Sequence, residues 1–476
     1  MLFNSFHFVF FFIIVTTCYF ILPQNKKWVL LLGSSCYFYM AFVPIYILIL
    51  GFTIVIDYFA GIYIENSEGK RRKLFLIYSL IANIGVLAVF KYFNFLNDNF
   101  SFLMHGFGLK NPIPYLSILL PIGLSFHTFQ AMSYTIEIYR GNQKAERHFG
   151  IYSLYVMFYP QLVAGPIERP QNLLHQFRER YNFEYERVVD GLKMMLWGFF
   201  KKIVIAERLA IYVNTVYNNP EQHNGTTLIL ATIFFALQIY CDFSAYSEIA
   251  IGAAKVMGYD LMTNFKRPYL SRNIAEFWKR WHISLSTWFK EYLYISLGGN
   301  RVSIPRWYLN LFIVFLISGL WHGANWTYIM WGAINGFYLV FAIISMNFRN
   351  KISSFFRIKK SFKFNFVLQI STTFLLTCFA WIFFRANSID DALLIIEKIF
   401  TSQGSLFIEN PSMIIYSFLA IFILFFVEIK QEYYKGNFSF TKNSNWLIRI
   451  LSYAFLLILI FLIGVFDGGQ FIYFQF

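Results

Sequence analysis

The chain is poor in charged residues and in cysteine. Asp, Glu, Lys and Arg make up only 14% of its 476 residues, whereas 58% are hydrophobic and 22% are aromatic. Because about a quarter of a soluble domain is charged, this composition excludes an ordinary soluble protein and indicates an integral membrane protein. The four cysteines, at positions 18, 36, 241 and 378, lie singly in apolar segments. We therefore predict no disulfide framework and no bound metal.

Acidic residues are scarcer than basic ones: 25 Asp and Glu stand against 40 Lys and Arg, a formal net charge of +15. A nucleic-acid-binding protein would need a soluble basic face, which the sequence lacks, so no nucleic acid partner is expected. Anchoring of basic side chains to anionic lipid head groups of the bilayer explains most of the excess. The first apolar run, residues 2–22, has neither a basic start nor a small-residue cleavage site. We expect a retained first span rather than a cleaved signal peptide.

Long apolar runs account for most of the chain. They reach the length of about 17 to 25 residues that a helix needs to cross the hydrocarbon core, which indicates an all-α polytopic protein. We predict about eleven spans, some of the candidate segments being re-entrant. The candidate segments are residues 2–22, 28–43, 45–64, 74–96, 115–139, 191–215, 227–256, 307–322, 326–347, 366–384, 411–429 and 447–466.

Lysine and arginine concentrate in alternate loops between these segments. Such loops are typically cytoplasmic, so the N-terminus is expected on the extracytoplasmic side. The sequence shows no internal repeat, low-complexity linker or soluble appendage of domain size. A single membrane domain over residues 1–476 is the simplest partition, with a catalytic core at about residues 115–345.

Two stretches interrupt the alternation of span and short loop. In the first, residues 159–170, three prolines and a glycine exclude a continuous helix. Irregular backbone at membrane depth persists only if it is buried in protein or lines a cavity. The stretch is therefore either a re-entrant element or the end of a short helix at the interface. Residues 171–187 mix arginines with apolar side chains, as a helix lying in the interface would.

The second stretch, residues 264–306, predicts an amphipathic helix whose aromatic positions recur every three or four residues. His282 follows Trp278 by four residues and is expected on the aromatic stripe of that helix, away from the charged positions. A histidine packed in a core and bonded to one carbonyl is the alternative. The helix is expected to stop at residues 298–301, Gly-Gly-Asn-Arg, which form either a plain loop or a turn that cradles a phosphate.

His322 ends a predicted span, directly after Trp321 and before Gly323. The small residue lets another backbone or a substrate approach closely. A neutral imidazole in a desolvated site can accept a proton from a hydroxyl group and return it to a leaving group. Two such histidines, His282 and His322, each beside a tryptophan, favour a catalytic function.

Several segments, in order along most of the chain, carry a family resemblance. They are residues 120–130 (LPIGLSFHTFQ), 164–170 (AGPIERP), 238–244 (QIYCDFS), 276–301, 319–326 (GLWHGANW) and 471–476 (FIYFQF). On these motifs the chain resembles the membrane-bound O-acyltransferase (MBOAT) family, in its AlgI-like branch of alginate and cell-surface polysaccharide O-acetyltransferases. The resemblance implies a ring of helices around a central tunnel, in the bacterial cytoplasmic (inner) membrane.

The resemblance also implies roles for individual residues. His322 matches the family's invariant histidine and would be the general base or orienting group, and His282 matches its second functional histidine. We predict that the tunnel lining includes the aromatic and polar residues near them: Trp278, Trp281, Trp321, Asn325, Asp242, Tyr240 and Ser244. For Asp242, Tyr240 and Ser244, structural support of the tunnel is the first interpretation and catalysis the second.

The donor implied by the resemblance is cytoplasmic acetyl-CoA, with no bound cofactor. Four cationic side chains are candidates for contacts with the phosphates of CoA, with attachment to lipid head groups as the equal alternative. They are Lys279, Arg280, Lys290 and Arg301.

The acceptor stays open at this point. The acetyl group would pass to an extracytoplasmic glycan, directly or through a periplasmic SGNH-type acetyltransferase partner, and the glycan could be alginate-like exopolysaccharide or peptidoglycan. D-alanyl transfer to teichoic acid is an alternative, as is a transporter of glycan or lipid whose histidines relay protons. The absence of an internal repeat weighs against a transporter. A non-enzymatic membrane scaffold for a glycan-modifying complex is a third possibility.

Overall fold

A computed structural model describes residues 1–117, 121–355, 362–434, 445–466 and 471–472 of the chain. All regular secondary structure in these ranges is helical, which confirms the predicted all-α class. Three of the longer helical stretches contain a π-helical segment, at Ala88–Tyr92, Phe200–Ala206 and Phe289–Tyr294. Such segments occur mostly at functional sites or strained positions.

Twenty α-helices lie in the described ranges. In chain order they are α1 (Phe6–Ile21), α2 (Gln24–Met40), α3 (Ile47–Glu65), α4 (Gly69–Leu87), α5 (Phe93–Gly106), α6 (Leu124–Arg140), α7 (Phe149–Met157), α8 (Pro170–Leu173), α9 (Tyr185–Phe199), α10 (Glu207–Tyr217), α11 (Gly225–Met257), α12 (Ile274–Arg280), α13 (Ile283–Trp288), α14 (Ile304–His322), α15 (Trp326–Ile344), α16 (Met346–Phe355), α17 (Phe362–Arg385), α18 (Ile389–Thr401), α19 (Pro411–Tyr433) and α20 (Trp446–Ile463).

Eight helical stretches of the described chain are long and apolar enough to cross a membrane. They are Pro44–Glu65, Gly69–Gly106, Gly225–Met257, Ile304–His322, Trp326–Ile344, Phe364–Arg385, Pro411–Tyr433 and Trp446–Ile463. Helix α1 is apolar but shorter. Each candidate segment predicted from the sequence overlaps a helix. The chain is a multi-pass membrane protein, while the count of about eleven spans stays a prediction.

The chain divides into two compact units. Unit 1 comprises residues Met1–Met195 and Tyr246–Met262, and unit 2 comprises Leu196–Ala245 and Thr263–Phe476. Helix α11 therefore contributes to both. In unit 1, α3 packs against α4 and α6, and in unit 2, α14 and α15 form a closely packed antiparallel pair followed by α17. The single-domain partition stays a prediction.

The proline-rich stretch of unit 1 bends as the sequence predicts, since Tyr159–Gly165 is a series of turns. Nearly all of it is buried, and side chains satisfy its backbone. The N–H of Tyr159 donates to the hydroxyl of Ser35 at 3.0 Å, and the hydroxyl of Tyr155 donates to the carbonyl of Glu168 at 2.9 Å. Because buried backbone groups must be paired, these bonds explain how the irregular segment is accommodated.

The interfacial helix predicted over residues 171–187 is wrong. Helix α8 ends at Leu173, a 3-10 turn follows at His175–Arg178, and extended chain leads to α9 at Tyr185. Hydrogen bonds from α2 stabilise the extended conformation of this segment. The ammonium of Lys27, for example, donates to the carbonyl of Tyr181 at 2.7 Å. These bonds to α2 replace the backbone hydrogen bonds that a helix would form. The local pattern of apolar residues does not reveal such distant partners.

Candidate active site

The predicted helix around His282 is also wrong, because it is broken at the histidine itself. Trp281 is extended, and His282 has φ +43° and ψ +55°, the left-handed region. For a residue other than glycine this conformation costs about 1 to 3 kcal/mol and persists only where the surroundings impose it. The segment preceding α12 does so, since the N–H of Lys266 donates to Arg280 and the N–H of Ile283 donates to Asn264, both at 2.9 Å.

The break points the His282 side chain into the interior of unit 2, where only 1% of the residue is exposed. Its Nδ1 atom lies 3.2 Å from Oδ1 of Asn264. The ring of Phe243 meets the imidazole edge-on, with centroids 4.6 Å apart. Burial lowers the pKa of His282 to about 3, so the imidazole is neutral at physiological pH.

His322 is the last residue of α14 and is likewise buried. Its imidazole contacts the rings of Trp331 and Phe384, with centroid distances of 5.0 and 5.3 Å. The ring of Trp321 lies 5.0 Å from that of His322 and 6.2 Å from that of His282. The two histidines predicted from the sequence are therefore linked through a shared aromatic neighbour.

Tryptophans form the wall around these histidines. Trp278 packs on Trp331 at 5.7 Å, Trp281 on Trp381 at 5.2 Å, and Trp331 stacks on Trp381 at 5.8 Å. Sequence reasoning found Trp278, Trp281 and Trp321 but missed Trp331 and Trp381. Those two lie within long apolar helices, where a tryptophan carries no local mark of function.

The end of α14 is shaped by glycines and by a helix cap. A Cβ on Gly319 would lie 2.3 Å from the carbonyl oxygen of Tyr328, so α14 and α15 cross with their backbones in close contact. Asn325 caps α15, its side chain accepting the N–H of Thr327 at 3.0 Å. The structure thus gives Asn325 a local role in ending the turn after His322, and lining of a tunnel stays a prediction.

Asp242 belongs to a buried ion cluster. Its Oδ1 lies 2.7 Å from the ammonium of Lys202, which also pairs with Glu207. Its Oδ2 accepts the N–H of Ile472 at 2.8 Å, so the carboxylate holds the C-terminal segment as well. This arrangement favours structural support over catalysis for Asp242.

Ser244 and Tyr240 also have defined partners. The hydroxyl of Ser244 accepts a hydrogen bond from the ammonium of Lys201 at 2.8 Å, and the hydroxyl of Tyr240 donates to Glu428. Sequence reasoning missed Lys201, Glu428 and the ion cluster. A signal was present, because two consecutive lysines inside the predicted span 191–215 require buried partners. Residues 473–476 of the C-terminal motif lie outside the described residues.

The four predicted phosphate contacts differ in their surroundings. Arg280 is held by two carboxylates, Glu276 at 2.7 Å and Glu432 at 2.8 Å. Lys279, Lys290 and Arg301 are exposed. Free cationic side chains suit a soluble anionic ligand better than one already bonded to two acids.

These features define a class: a multi-pass helical membrane protein with two histidines buried among aromatic side chains. Comparison with known proteins gives the family. The model of the MBOAT, membrane-bound O-acyltransferase family, matches residues 143–383. The chain belongs to this family and is an O-acyltransferase. Family membership decides between the enzyme and the transporter or scaffold that the sequence alone left open.

Three relatives illustrate the similarity. The probable alginate O-acetylase AlgI of Pseudomonas aeruginosa is 36% identical over 84% of this chain and 75% of the relative. The peptidoglycan O-acetyltransferase of Helicobacter pylori is 34% identical over 85% of this chain and 80% of the relative. The teichoic acid D-alanyltransferase of Bacillus subtilis is 26% identical over 62% of this chain and 75% of the relative.

Proposed function

We propose that this protein moves an acetyl group from cytoplasmic acetyl-CoA to hydroxyl groups of an extracytoplasmic glycan. The observation that carries the proposal is the pair of buried histidines, His282 and His322, both in ring contact with Trp321 among buried aromatic side chains. An acyl thioester reaching such surroundings is protected from hydrolysis, and a neutral imidazole there can move a proton.

In the reaction one O–C bond forms, one C–S bond breaks, and one proton moves from the acceptor hydroxyl to the leaving thiolate. The hydroxyl oxygen of the acceptor attacks the thioester carbonyl, an O–C bond forms, and the C–S bond to CoA breaks. His322 accepts the hydroxyl proton as general base and returns it to the departing thiolate, while His282 assists on the donor side. Two nearby bases allow the proton to be taken up and released without a charge reaching the surrounding lipid.

The donor and the compartment follow from the same proposal. The exposed cations Lys279, Lys290 and Arg301 would contact the phosphates of acetyl-CoA on the cytoplasmic side, with a lesser contribution from Arg280. The protein would lie in the bacterial inner membrane with its N-terminus outside. An SGNH-type acetyltransferase in the periplasm would receive the acetyl group on its serine and pass it to the glycan.

The relatives support acetyl transfer and leave two acceptors. An alginate-like exopolysaccharide is suggested by the Pseudomonas aeruginosa relative and peptidoglycan by the Helicobacter pylori relative, which match the chain with similar identity and coverage. D-alanyl transfer to teichoic acid is the weaker alternative, because the Bacillus subtilis relative has lower identity over a smaller share of the chain.

The test is the O-acetyl content of exopolysaccharide and of peptidoglycan from cells carrying the wild-type protein or His322→Ala. His105→Ala is the matched control, because His105 is exposed at the end of α5. Membrane levels of the three proteins are equalised by immunoblot. Loss of acetyl groups from one fraction, in His322→Ala only, is expected and names the acceptor. Unchanged acetylation in both fractions would contradict acetyl transfer and favour D-alanyl transfer.

A further inference from the structure

Asn264 lies fully buried in the segment between α11 and α12, and no sequence pattern marks it as a functional residue. Its Oδ1 atom is within hydrogen-bond distance of three groups. They are the backbone N of Ser284 at 3.2 Å, the hydroxyl of Ser284 at 2.9 Å and Nδ1 of His282 at 3.2 Å. One amide oxygen therefore holds both ends of the turn that contains His282.

These partners identify which nitrogen of the His282 imidazole carries the proton. A backbone N–H can only donate, so the Asn264 atom that faces Ser284 N is the amide oxygen and not the amide nitrogen. An amide oxygen can only accept, so Nδ1 of His282 must carry a hydrogen to bond to it. A neutral imidazole has one N–H, so Nε2 is the nitrogen that carries the lone pair in the ring plane.

The rest of the environment fixes the ring in this orientation. The backbone carbonyl of Asn264 accepts the N–H of Ile283 at 2.9 Å, so both the main chain and the side chain of Asn264 hold the left-handed turn. Phe243 packs edge-on against the imidazole face with an interplanar angle of 89°. Turning the ring over about χ2 would exchange Nδ1 for the Cδ2–H group and so remove the N–H that faces the amide oxygen of Asn264.

We propose that Asn264 is a positioning residue that sets the tautomer of His282, with the proton on Nδ1 and the lone pair on Nε2. His282 then meets its substrate as an acceptor of a hydrogen bond or proton, and it cannot donate from Nε2 until it has received one. This inference deepens the proposed function and rests on it for its catalytic consequence. The tautomer itself is a property of the folded protein, independent of any substrate.

The direct test is nitrogen NMR of the purified protein labelled with 15N-histidine. The chain has eight histidines, so the His282 signals are identified by their loss in His282→Gln. A protonated, pyrrole-type Nδ1 and an unprotonated, pyridine-type Nε2 are expected, with the Nε2 signal shifting in Asn264→Leu. The opposite assignment would overturn the proposal. Because this readout needs no activity, it separates failure of the inference from failure of the proposed acetyl transfer.

Kinetics provide the second test, using two substitutions of nearly equal size. Asn264→Leu removes the acceptor, and kcat for acetyl transfer is expected to fall by about tenfold or more, with KM for acetyl-CoA unchanged. Asn264→Asp keeps an oxygen that accepts from Nδ1 and is expected to recover most of the lost kcat. Ser284→Ala removes a hydroxyl that lies 3.4 Å from Nδ1 of His282 but leaves the Asn264–His282 bond, so kcat is expected to fall less than in Asn264→Leu.

Two results would contradict a positioning role. One is wild-type kcat in Asn264→Leu, and the other is equal loss of kcat in the Leu and Asp variants when both have a wild-type melting temperature. If Asn264→Leu does not fold, the comparison of Asn264→Asp with Ser284→Ala and the 15N signals of the wild-type protein still decide the tautomer. A residue needed only for folding would lower kcat in proportion to the amount of folded protein.

Discussion

The indole of Trp321 lies with its ring centroid 6.2 Å from that of His282, at an interplanar angle of 66°. Trp321 directly precedes His322, so the end of α14 carries both the second histidine and the tryptophan that contacts His282. The tryptophan therefore contacts both imidazoles. Its side chain is 4% exposed as part of the buried core, and its replacement should alter the histidine geometry.

Trp321→Ala is expected to abolish most acetyl transfer, because the cavity lets both imidazoles leave their positions, and truncation of a buried tryptophan costs about 3 to 5 kcal/mol. Trp321→Phe keeps an aromatic ring and should retain measurable activity. The measurement is glycan O-acetylation with the melting temperature of each purified variant. Equal activity of the Ala and wild-type proteins would show that Trp321 is not needed to hold the two imidazoles in position.

The burial of His282 and His322 could be predicted from the sequence, because both stand among aromatic side chains in apolar segments, while their catalytic role stays a prediction. The break in the helix at His282 could not be predicted from the sequence. The apolar spacing of residues 274–292 is helical throughout, and the amide that interrupts the helix comes from Asn264, 18 positions earlier. A contact between residues so distant in sequence leaves no periodic signal.

Asp242→Asn should destabilise the protein. It removes one of the two carboxylates that neutralise the buried ammonium of Lys202. Glu207 still pairs with Lys202, so the cost should lie below the roughly 3 to 5 kcal/mol of a buried charge left without a counter-ion, and a moderate drop in melting temperature is expected. Thermal unfolding in detergent is the measurement, followed by acetylation at matched protein levels.

The control for this substitution is Arg272→Gln, which removes an ion pair between Arg272 and Glu276. The side chain of Arg272 is 54% exposed. Exposed pairs contribute about 0 to 1 kcal/mol, so little change in melting temperature is expected. If Asp242→Asn melts like Arg272→Gln while activity is lost, the structural assignment of Asp242 is contradicted and a direct role in acyl transfer is favoured.

Lys202 also shows where sequence reasoning stopped. Orientation of the spans could be predicted from lysines and arginines in loops, whereas Lys201 and Lys202 lie inside a predicted span. Their partners Ser244 and Asp242 are on α11, and pairing across helices is set by packing. The helices were therefore predictable from composition, and the cluster that joins them was not.

Gly319→Ala should disturb the crossing of α14 and α15. The added Cβ would lie 2.3 Å from the carbonyl oxygen of Tyr328, a main-chain atom that cannot move away alone. The helices must separate, and His322 at the end of α14 moves with them. We expect both a lower melting temperature and a loss of acetylation.

Gly85→Ala is the matched control, because Gly85 is also helical and a Cβ there meets nothing within 4 Å. Alanine is favoured over glycine in a helix by about 1 kcal/mol, so this variant should be neutral or slightly more stable. Comparable losses in Gly85→Ala and Gly319→Ala would show that the close crossing is not what the substitution disturbs.

The donor side gives the last prediction. In the double variant Lys279→Gln and Lys290→Gln, KM for acetyl-CoA should rise and depend less on salt, with kcat unchanged, because exposed cations act through screened attraction to the phosphates. Arg280→Gln should instead lower the melting temperature, since Arg280 bridges Glu276 and Glu432. The measurement is acetyl-CoA turnover in detergent at low and high ionic strength. An unchanged KM in the double variant would assign the two lysines to lipid head groups, and a raised KM in Arg280→Gln without loss of stability would place Arg280 at the phosphates instead.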